Sequence, residues 1–214
     1  MEQKTHQELG GFVAVVILAA GRASRMGREK VLLDLGGKPV ISHVLDAVCN
    51  AELSDASNIV IVANPRNEDS IRSVVGRSKV RVVCNLSFEQ GLGGSIGAGV
   101  AATAPDAAAL LLMQGDQPLV SAAMLLRLIV EWRESQTDYV AASYDEITTT
   151  PVLFSHALFA EMSQLQGDVG ARSVLRNHKG RVVAFPSWRG TDIDTEDDYH
   201  KVQQLWQKHN EGVF

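Results

Sequence analysis

The sequence between Gly21 and Lys30 combines basic side chains with glycine and serine, a composition suited to binding phosphate. Its cations are Arg22, Arg25, Arg28 and Lys30. Backbone N–H groups, a hydroxyl and fixed positive charges together form a cradle for phosphate oxygens. The spacing fits neither the P-loop pattern G-x-x-x-x-G-K-[ST] nor the dinucleotide pattern G-x-G-x-x-G. An ordinary basic surface loop is the alternative, and the residues alone leave both interpretations open.

Two acidic segments could supply ligands for a metal ion. Asp116 follows an apolar run over residues 107–113, and Asp192 and Asp194 alternate in a later polar segment. A carboxylate at the end of a buried strand suits Mg²⁺, which binds a few carboxylates together with substrate phosphates. Alternating residues of an extended segment point to the same side, so Asp192 and Asp194 could act together. Asp116 could equally be a turn residue or a helix cap, because Asp-x-Pro favours turns.

The glycine-rich segment over residues 85–99 is suited to enclosing a flat ring. A backbone with few side chains can close over a nucleobase, and Ser95 is a favourable N-cap for a following helix. The pair Gly97 and Gly99 does not complete a dinucleotide motif, because Ala102 stands where the third glycine is required. A flexible glycine linker is the alternative, although the alanines that follow favour a helix.

Residues 167–172, with the sequence G-D-V-G-A-R, could receive an anion at the start of a helix. Asp168 lies between two glycines, and Arg172 falls in the predicted first turn. The N-terminus of a helix favours negative charge through its free N–H groups and its dipole. The alternative is a helix capped by Asp168, with Arg172 in solvent.

The elements that must position these residues alternate between strand and helix. Residues 13–19 form an apolar run, rich in β-branched residues, that predicts a strand buried on both faces of a parallel sheet. Further strands are predicted over residues 58–63, 79–84, 107–113, 139–142 and 181–185, helices over residues 39–51, 68–75, 121–132 and from 195 to about 209, and a polar turn over residues 145–150. This alternation predicts a three-layer α/β/α fold with a mostly parallel sheet.

Composition limits the classes of function. The chain has 214 residues, 45% of them hydrophobic, and a formal net charge of −5. The polar N-terminus predicts a flexible tail over residues 1–10, and the chain length predicts a single domain over residues 11–214. The negative net charge argues against broad nucleic-acid binding, and no apolar run approaches the length of a membrane span. Cys49 and Cys84 are predicted to be buried free thiols of a cytoplasmic protein.

Several motifs occur in the order that a known family requires. They are Leu18-Ala19-Ala20-Gly21 with Arg25-Met26-Gly27 and Lys30, Gly115-Asp116-Gln117-Pro118, Pro151-Val152-Leu153-Phe154 with Gly167-Asp168-Val169-Gly170-Ala171-Arg172, and Asp192-Ile193-Asp194-Thr195. The sequence resembles the nucleotidyltransferases with a GT-A-like, Rossmann-like fold, the nucleotide-diphospho-sugar transferase type. Within them it is most similar to the molybdenum cofactor cytidylyltransferases and guanylyltransferases.

This resemblance implies transfer of CMP from CTP to the terminal phosphate of molybdopterin, with release of pyrophosphate and Mg²⁺ as the cofactor. It implies that Asp116 holds the ion together with Asp194 or Asp192, while Arg25 and Lys30 offset charge on the phosphates. The residues expected to contact the nucleotide or the acceptor are Leu18, Ala19, Ala20, Gly21, Arg22, Asn85, Gly91, Ser95, Gly115, Asp168 and Arg172.

Three other functions are compatible with the resemblance. The first is a guanylyltransferase that uses GTP, although the methyl group of Ala20 would crowd a purine and favours CTP. The second is a cytidylyltransferase for a sugar phosphate or polyol phosphate. The third is a non-catalytic protein that binds a nucleotide and delivers the cofactor to a molybdoenzyme in a transient contact. The presence of both Lys30 and Asp116 favours an enzyme, because binding alone needs no metal-held leaving group.

Overall fold

The computed structural model describes residues 11–21, 26–52 and 55–212. The predicted tail over residues 1–10 and the predicted phosphate contacts of Arg22 and Arg25 lie outside these residues.

The strands are β1 (Val13–Leu18), β2 (Asp34–Leu35), β3 (Lys38–Pro39), β4 (Ile59–Ala63), β5 (Arg81–Cys84), β6 (Ala109–Gln114), β7 (Tyr139–Tyr144), β8 (Ile147–Ser155) and β9 (Gly180–Ala184). The α-helices are α1 (Val40–Asn50), α2 (Glu68–Val75), α3 (Leu92–Ala101), α4 (Ala122–Ser135), α5 (Phe159–Ser163), α6 (Ala171–Asn177) and α7 (Glu196–Asn210).

Strand β1 lies inside a seven-stranded sheet of order β5-β4-β1-β6-β8-β7-β9. Every residue of β1 is apolar and buried, as expected of a strand that is covered on both faces. It pairs in parallel with β4 and β6, whereas β8 runs antiparallel to β6 and β7. The mostly parallel sheet predicted from the sequence is confirmed.

Helices cover both faces of the sheet and complete three layers. Val15 and Ile17 of β1 belong to an apolar cluster that includes residues of α1, α2 and α4. Val16 and Leu18 point the other way, into a cluster that includes residues of α3, α5 and α6. Because alternate residues of a strand face opposite sides, one short strand contributes to both halves of the core.

The last helix packs over the small β2–β3 hairpin. Tyr199 and Val202 of α7 join Leu35 of β2 in a separate apolar cluster. A capping box starts α7: Thr195 Oγ1 accepts from the Asp198 backbone N–H, and the Asp198 side chain accepts from the Thr195 N–H. This cap fixes the backbone immediately after Asp194.

Three local predictions are wrong. The turn predicted over residues 145–150 is confined to Asp145 and Glu146, which both have positive φ as in a tight hairpin, and β8 begins at Ile147. Ser95 is not an N-cap, because α3 begins at Leu92 after Gly91. Cys49 is exposed and Cys84 is half-buried, although both thiols are free as predicted.

Among the helices of residues 11–21, 26–52 and 55–212, none has the length and apolar character needed to cross a bilayer.

Candidate active site

The candidate active site lies where β1 and β6 end side by side. Leu18 and Gln114 are register partners at the ends of these parallel strands. The Gly115 backbone N–H then donates to the Leu18 carbonyl at 2.9 Å. A Cβ atom at Gly115 would lie 3.2 Å from that carbonyl oxygen, so glycine permits the close approach. Gly115 thereby brings Asp116 beside the segment that follows β1.

Lys30 joins two of the predicted acidic residues. Its ammonium Nζ lies 2.5 Å from Asp116 Oδ2 and 2.7 Å from Asp194 Oδ1. Asp116 is 3% exposed, whereas the Asp194 side chain is partly open to solvent. The structure therefore unites residues that lie far apart in the sequence: a cation after β1, a carboxylate after β6 and a carboxylate before α7.

Burial and mutual charge shift the pKa values in this cluster. Burial raises the pKa of Asp116, and the neighbouring Lys30 ammonium opposes that rise. Burial acts to lower the pKa of Lys30, but Asp116 and Asp194 outweigh it, so its pKa lies above the ordinary value. Burial also raises the pKa of Asp192, and the charges of Asp116 and Asp194 add to this effect. All three carboxylates therefore belong to one electrostatic unit.

The donor set of this cluster fits a hard divalent cation that shares its ligands with a substrate. Asp116 Oδ1 is buried and has no hydrogen-bond partner among the described residues. Within residues 11–21, 26–52 and 55–212, no group of three His, Cys, Asp or Glu side chains is arranged to hold a metal ion. Mg²⁺ commonly binds to one or two carboxylates plus phosphate and water, so a complete protein cage is not required.

A cavity of about 210 Å³ lies next to this cluster, and several residues expected at the nucleobase line it. The lining residues are Leu18, Ala20, Gly21, Phe88, Gly91, Leu92, Ser95 and Asp168. The walls are mostly apolar, while Ser95 and Asp168 supply polar groups. A flat heterocycle with polar edges suits such a lining.

Asn85 lies behind this cavity instead of lining it. Its Nδ2 donates to Ser95 Oγ at 2.9 Å, and both side chains are buried. Its backbone N–H donates to the carbonyl of Ala63, at the end of β4. Asn85 therefore orients the Ser95 hydroxyl that faces the cavity.

A second cavity, of about 480 Å³, adjoins the first. Leu18, Leu92 and Asp168 line both cavities. Its remaining polar and basic lining residues are Gln114, Thr149, Thr150, Arg172, Ser173 and Arg176. Helix α6 begins at Ala171 after Gly170, so Arg172 lies in its first turn as predicted, whereas Asp168 precedes the cap. The two cavities give the site room for two molecules side by side.

Several residues in and around the site were missed by sequence reasoning. Gln114, Thr149 and Arg176 line the second cavity. Asn64 and Asn67 are buried beside the end of β1, and Ala19 accepts a hydrogen bond from Asn67. The available signal is the sequence Asn64-Pro65-Arg66-Asn67, which places two asparagines directly after a buried strand.

Comparison with known proteins identifies the family. A family model described as the MobA-like NTP transferase domain matches residues 15–182. The chain belongs to this family. Its members are nucleotidyltransferases, so the family resemblance and the class of enzyme predicted from the sequence are confirmed.

Individual relatives agree with this assignment. This family member is 30% identical over 206 residues to the purine catabolism protein PucB of Bacillus subtilis (strain 168), covering 90% of this chain and 97% of that protein. It is 40% identical over 114 residues to a 2-C-methyl-D-erythritol 4-phosphate cytidylyltransferase of Pelotomaculum thermopropionicum, covering 51% of this chain and 47% of that protein. The crystal structure of Rv0371c from Mycobacterium tuberculosis H37Rv in complex with manganese superposes with a TM-score of 0.76 at 26% identity, covering 90% of this chain and 98% of that one.

Proposed function

We propose that this nucleotidyltransferase transfers CMP from CTP to the terminal phosphate of a molybdopterin-type acceptor. The acceptor phosphate oxygen forms a bond to the α-phosphorus of CTP, the bond from the α-phosphorus to the bridging oxygen breaks, and pyrophosphate leaves. The observation that carries this proposal is the cluster of Lys30, Asp116 and Asp194 beside two adjoining cavities. Such a site can hold a triphosphate and its acceptor together without a side-chain nucleophile.

The chain's own residues would act by position and charge. Lys30, which is held by two carboxylates, supplies a fixed positive charge for the phosphates, and Arg25 of the preceding loop is proposed to add another. Asp116, with Asp194 or Asp192, would hold Mg²⁺, which neutralises charge on the phosphates of the leaving group. Fixed charges of this kind stabilise a phosphoryl transition state without covalent participation by the protein. The manganese complex of Rv0371c supports a divalent ion in this fold.

The smaller cavity supports CTP as the donor. Ala20 is 3% exposed and lines this cavity, so its methyl group reduces the space for a base. Gly91 and Ser95 line the same cavity, and Ser95 supplies a hydroxyl for the polar edge of the base. A pyrimidine needs less room than a purine, which favours CTP over GTP.

The larger cavity supports an extended acceptor that carries a phosphate. Arg172 and Arg176 supply positive charge, while Leu112, Val152 and Leu175 provide apolar surface. A phosphorylated ring system has both kinds of surface. A polyol phosphate is the second candidate acceptor, because the partial match to the 2-C-methyl-D-erythritol 4-phosphate cytidylyltransferase reaches 40% identity.

The decisive experiment measures pyrophosphate release with CTP, GTP or ATP as the donor and molybdopterin or 2-C-methyl-D-erythritol 4-phosphate as the acceptor. We expect release with CTP, molybdopterin and Mg²⁺, and loss of release when the metal is chelated. Thermal shifts with each nucleotide report binding independently, because a ligand that binds the native state stabilises it. Stabilisation by CTP without pyrophosphate release would instead support the cofactor-delivery function.

A further inference from the structure

Two buried asparagines stand between β4 and α2, next to the loop after β1. Asn64 and Asn67 are both 0% exposed. A buried amide destabilises a protein unless its donors and acceptors are bonded, so their partners explain why such residues are tolerated here.

Asn67 occupies the N-cap position of α2 but directs its side chain elsewhere. The side-chain oxygen of an N-cap asparagine usually accepts a hydrogen bond from a backbone N–H of the first helical turn. Among the described residues of α2, no backbone N–H donates to the Asn67 side chain. Instead Asn67 Nδ2 donates to the Ala19 carbonyl at 2.9 Å and to Glu29 Oε2 at 2.7 Å. Its Oδ1 accepts from the Asn64 N–H at 2.9 Å. Both N–H donors of the amide thus contact the segments that flank the loop.

Asn64 holds Asn67 in this orientation. Its Oδ1 accepts from the backbone N–H groups of Arg66 at 2.8 Å and Asn67 at 3.1 Å. Its Nδ2 makes longer contacts of 3.4 Å with the Gly21 carbonyl and with Glu29 Oε2. The turn after β4 therefore places the side-chain amides of Asn64 and Asn67 in contact with the same loop.

Ala19 precedes residues 21–30, which we call the proposed phosphate-binding loop, and Glu29 lies near the end of this loop. Because the Asn67 side chain bonds to both residues, the two ends of the loop are fixed to one point in the turn after β4. Glu29 is followed directly by Lys30, whose Nζ contacts Asp116 and Asp194. A shift of Glu29 would therefore move the backbone that carries Lys30.

The carboxylate of Glu29 is otherwise unexpected in such a loop, because a negative charge repels a triphosphate. Hydrogen bonds to ionised acceptors are stronger than those between neutral groups. The charge of Glu29 therefore strengthens the attachment of the loop to Asn67. The hydrogen bonds from Asn67 and Asn64 in turn fix the position of the Glu29 carboxylate.

We propose that Asn67 and Glu29, supported by Asn64, are positioning residues that set the geometry of the phosphate-binding loop and of Lys30. We call these three residues the amide clamp. This inference rests on the proposed function only in that the loop must bind a triphosphate. It requires neither a particular base nor a particular acceptor.

The test compares Glu29→Ala, Glu29→Gln, Asn67→Ala and the Glu29→Ala/Asn67→Ala double variant. The readouts are calorimetric Kd values for CTP and for inorganic pyrophosphate with Mg²⁺, the kcat and KM for CTP, and the unfolding midpoint. Glu68→Ala is the matched control, because Glu68 follows Asn67 as the first residue of α2 and its side chain pairs with the exposed Arg72.

We expect Glu29→Ala and Asn67→Ala each to raise the Kd for CTP and pyrophosphate and the KM for CTP at least tenfold, with kcat changed less than threefold. The double variant should be no worse than the weaker-binding single variant, because both changes remove the same interaction. Glu29→Gln should recover wild-type values to within threefold, since its side-chain oxygen can still accept from Asn67. Glu68→Ala should match the wild type.

A purely structural role gives a different pattern. Fewer folded molecules would lower kcat and the unfolding midpoint at unchanged KM and Kd, and that result for Glu29→Ala would overturn the inference. Additive losses in the double variant would also overturn it. If the wild-type chain itself bound neither nucleoside triphosphate nor pyrophosphate, the proposed function would fail first, and the unaltered protein alone would reveal this.

Discussion

Gly91 lies against the backbone of Gly167 so closely that no side chain can stand between them. A Cβ atom on Gly91 would lie 2.2 Å from the Gly167 carbonyl carbon, and Gly91 has φ +120°. The Gly93 N–H also donates to the Gly167 carbonyl at 2.9 Å. The segment before α3 and the segment before α6 are thereby joined, at the place where the two cavities meet.

Gly91→Ala should separate these segments and weaken the binding of CTP at least tenfold, as measured by calorimetry. The matched control is Gly76→Ala, because Gly76 also has positive φ but nothing within 4 Å of its added Cβ. Both variants bear backbone strain of about 1–3 kcal/mol, because both glycines adopt sparsely populated backbone conformations. Equal CTP affinity in the two variants would show that the contact with Gly167 does not shape the nucleotide cavity.

Asp116→Asn should lower turnover at least 100-fold with little change in shape. The amide keeps the volume of the carboxylate but removes the charge that would hold the metal ion and pair with Lys30. The loss expected for one transition-state charge stabiliser is about 2.7–4 kcal/mol. Turnover is measured as pyrophosphate release, with the exposed Asp106→Asn as the control for a surface charge change. Normal turnover in Asp116→Asn would place the metal elsewhere.

Ala20→Gly should shift the preference between nucleotides. Removal of the methyl group enlarges the cavity lined by Ala20. The ratio of kcat/KM for GTP to that for CTP should therefore rise roughly tenfold, the smallest discrimination expected when one methylene is added or removed in a pocket. Ala109→Gly is the control, since Ala109 is 0% exposed and packs in the apolar cluster on the other face of the sheet. That variant should lose stability without a change in the ratio. An unchanged ratio in Ala20→Gly would contradict the steric basis for CTP selection.

Asp198→Asn should weaken the cap of α7 in a pH-dependent manner. Hydrogen bonds from Thr195 hold the pKa of Asp198 below its ordinary value of 3.8. A carboxylate with a depressed pKa stabilises the native state above that ordinary value and loses the contribution as pH falls through its folded pKa. Urea unfolding at pH 7 should show a loss of about 1 kcal/mol that disappears in strong acid.

Asp197→Asn controls for the helix dipole in this comparison, because Asp197 lies in the same first turn. The prediction fails if Asp197→Asn and Asp198→Asn lose the same stability at pH 7, or if the loss in Asp198→Asn persists at low pH.

The strands were predictable where burial is nearly complete. The apolar runs of β1, β4 and β6 are covered on both faces, so the chain has few alternatives to a buried strand there. Asp145 and Glu146 misled the prediction for β8, because polar residues usually mark longer loops and here form a two-residue turn. The predicted start of α3 at Ser95 is wrong because Gly91 is the N-cap and the helix begins at Leu92. Gly91 does so through a backbone conformation that sequence patterns do not specify.

The candidate site was predictable in part for a related reason. Lys30 and Asp116 follow neighbouring parallel strands, so their proximity follows from the topology. The amide clamp was not predictable, because it depends on the direction of two side chains after β4. Asn85 illustrates the same limit: its position near the cavity was anticipated, but its bond to Ser95 depends on a particular rotamer.

Asp168 forms part of the wall of both cavities, and this shared wall has a kinetic consequence. In the proposed reaction the donor and the acceptor occupy these adjoining cavities together, so transfer would proceed through a ternary complex. Initial velocities measured at several fixed concentrations of the second substrate should therefore give intersecting double-reciprocal lines. Occupancy of either compartment should also alter the apparent affinity of the other.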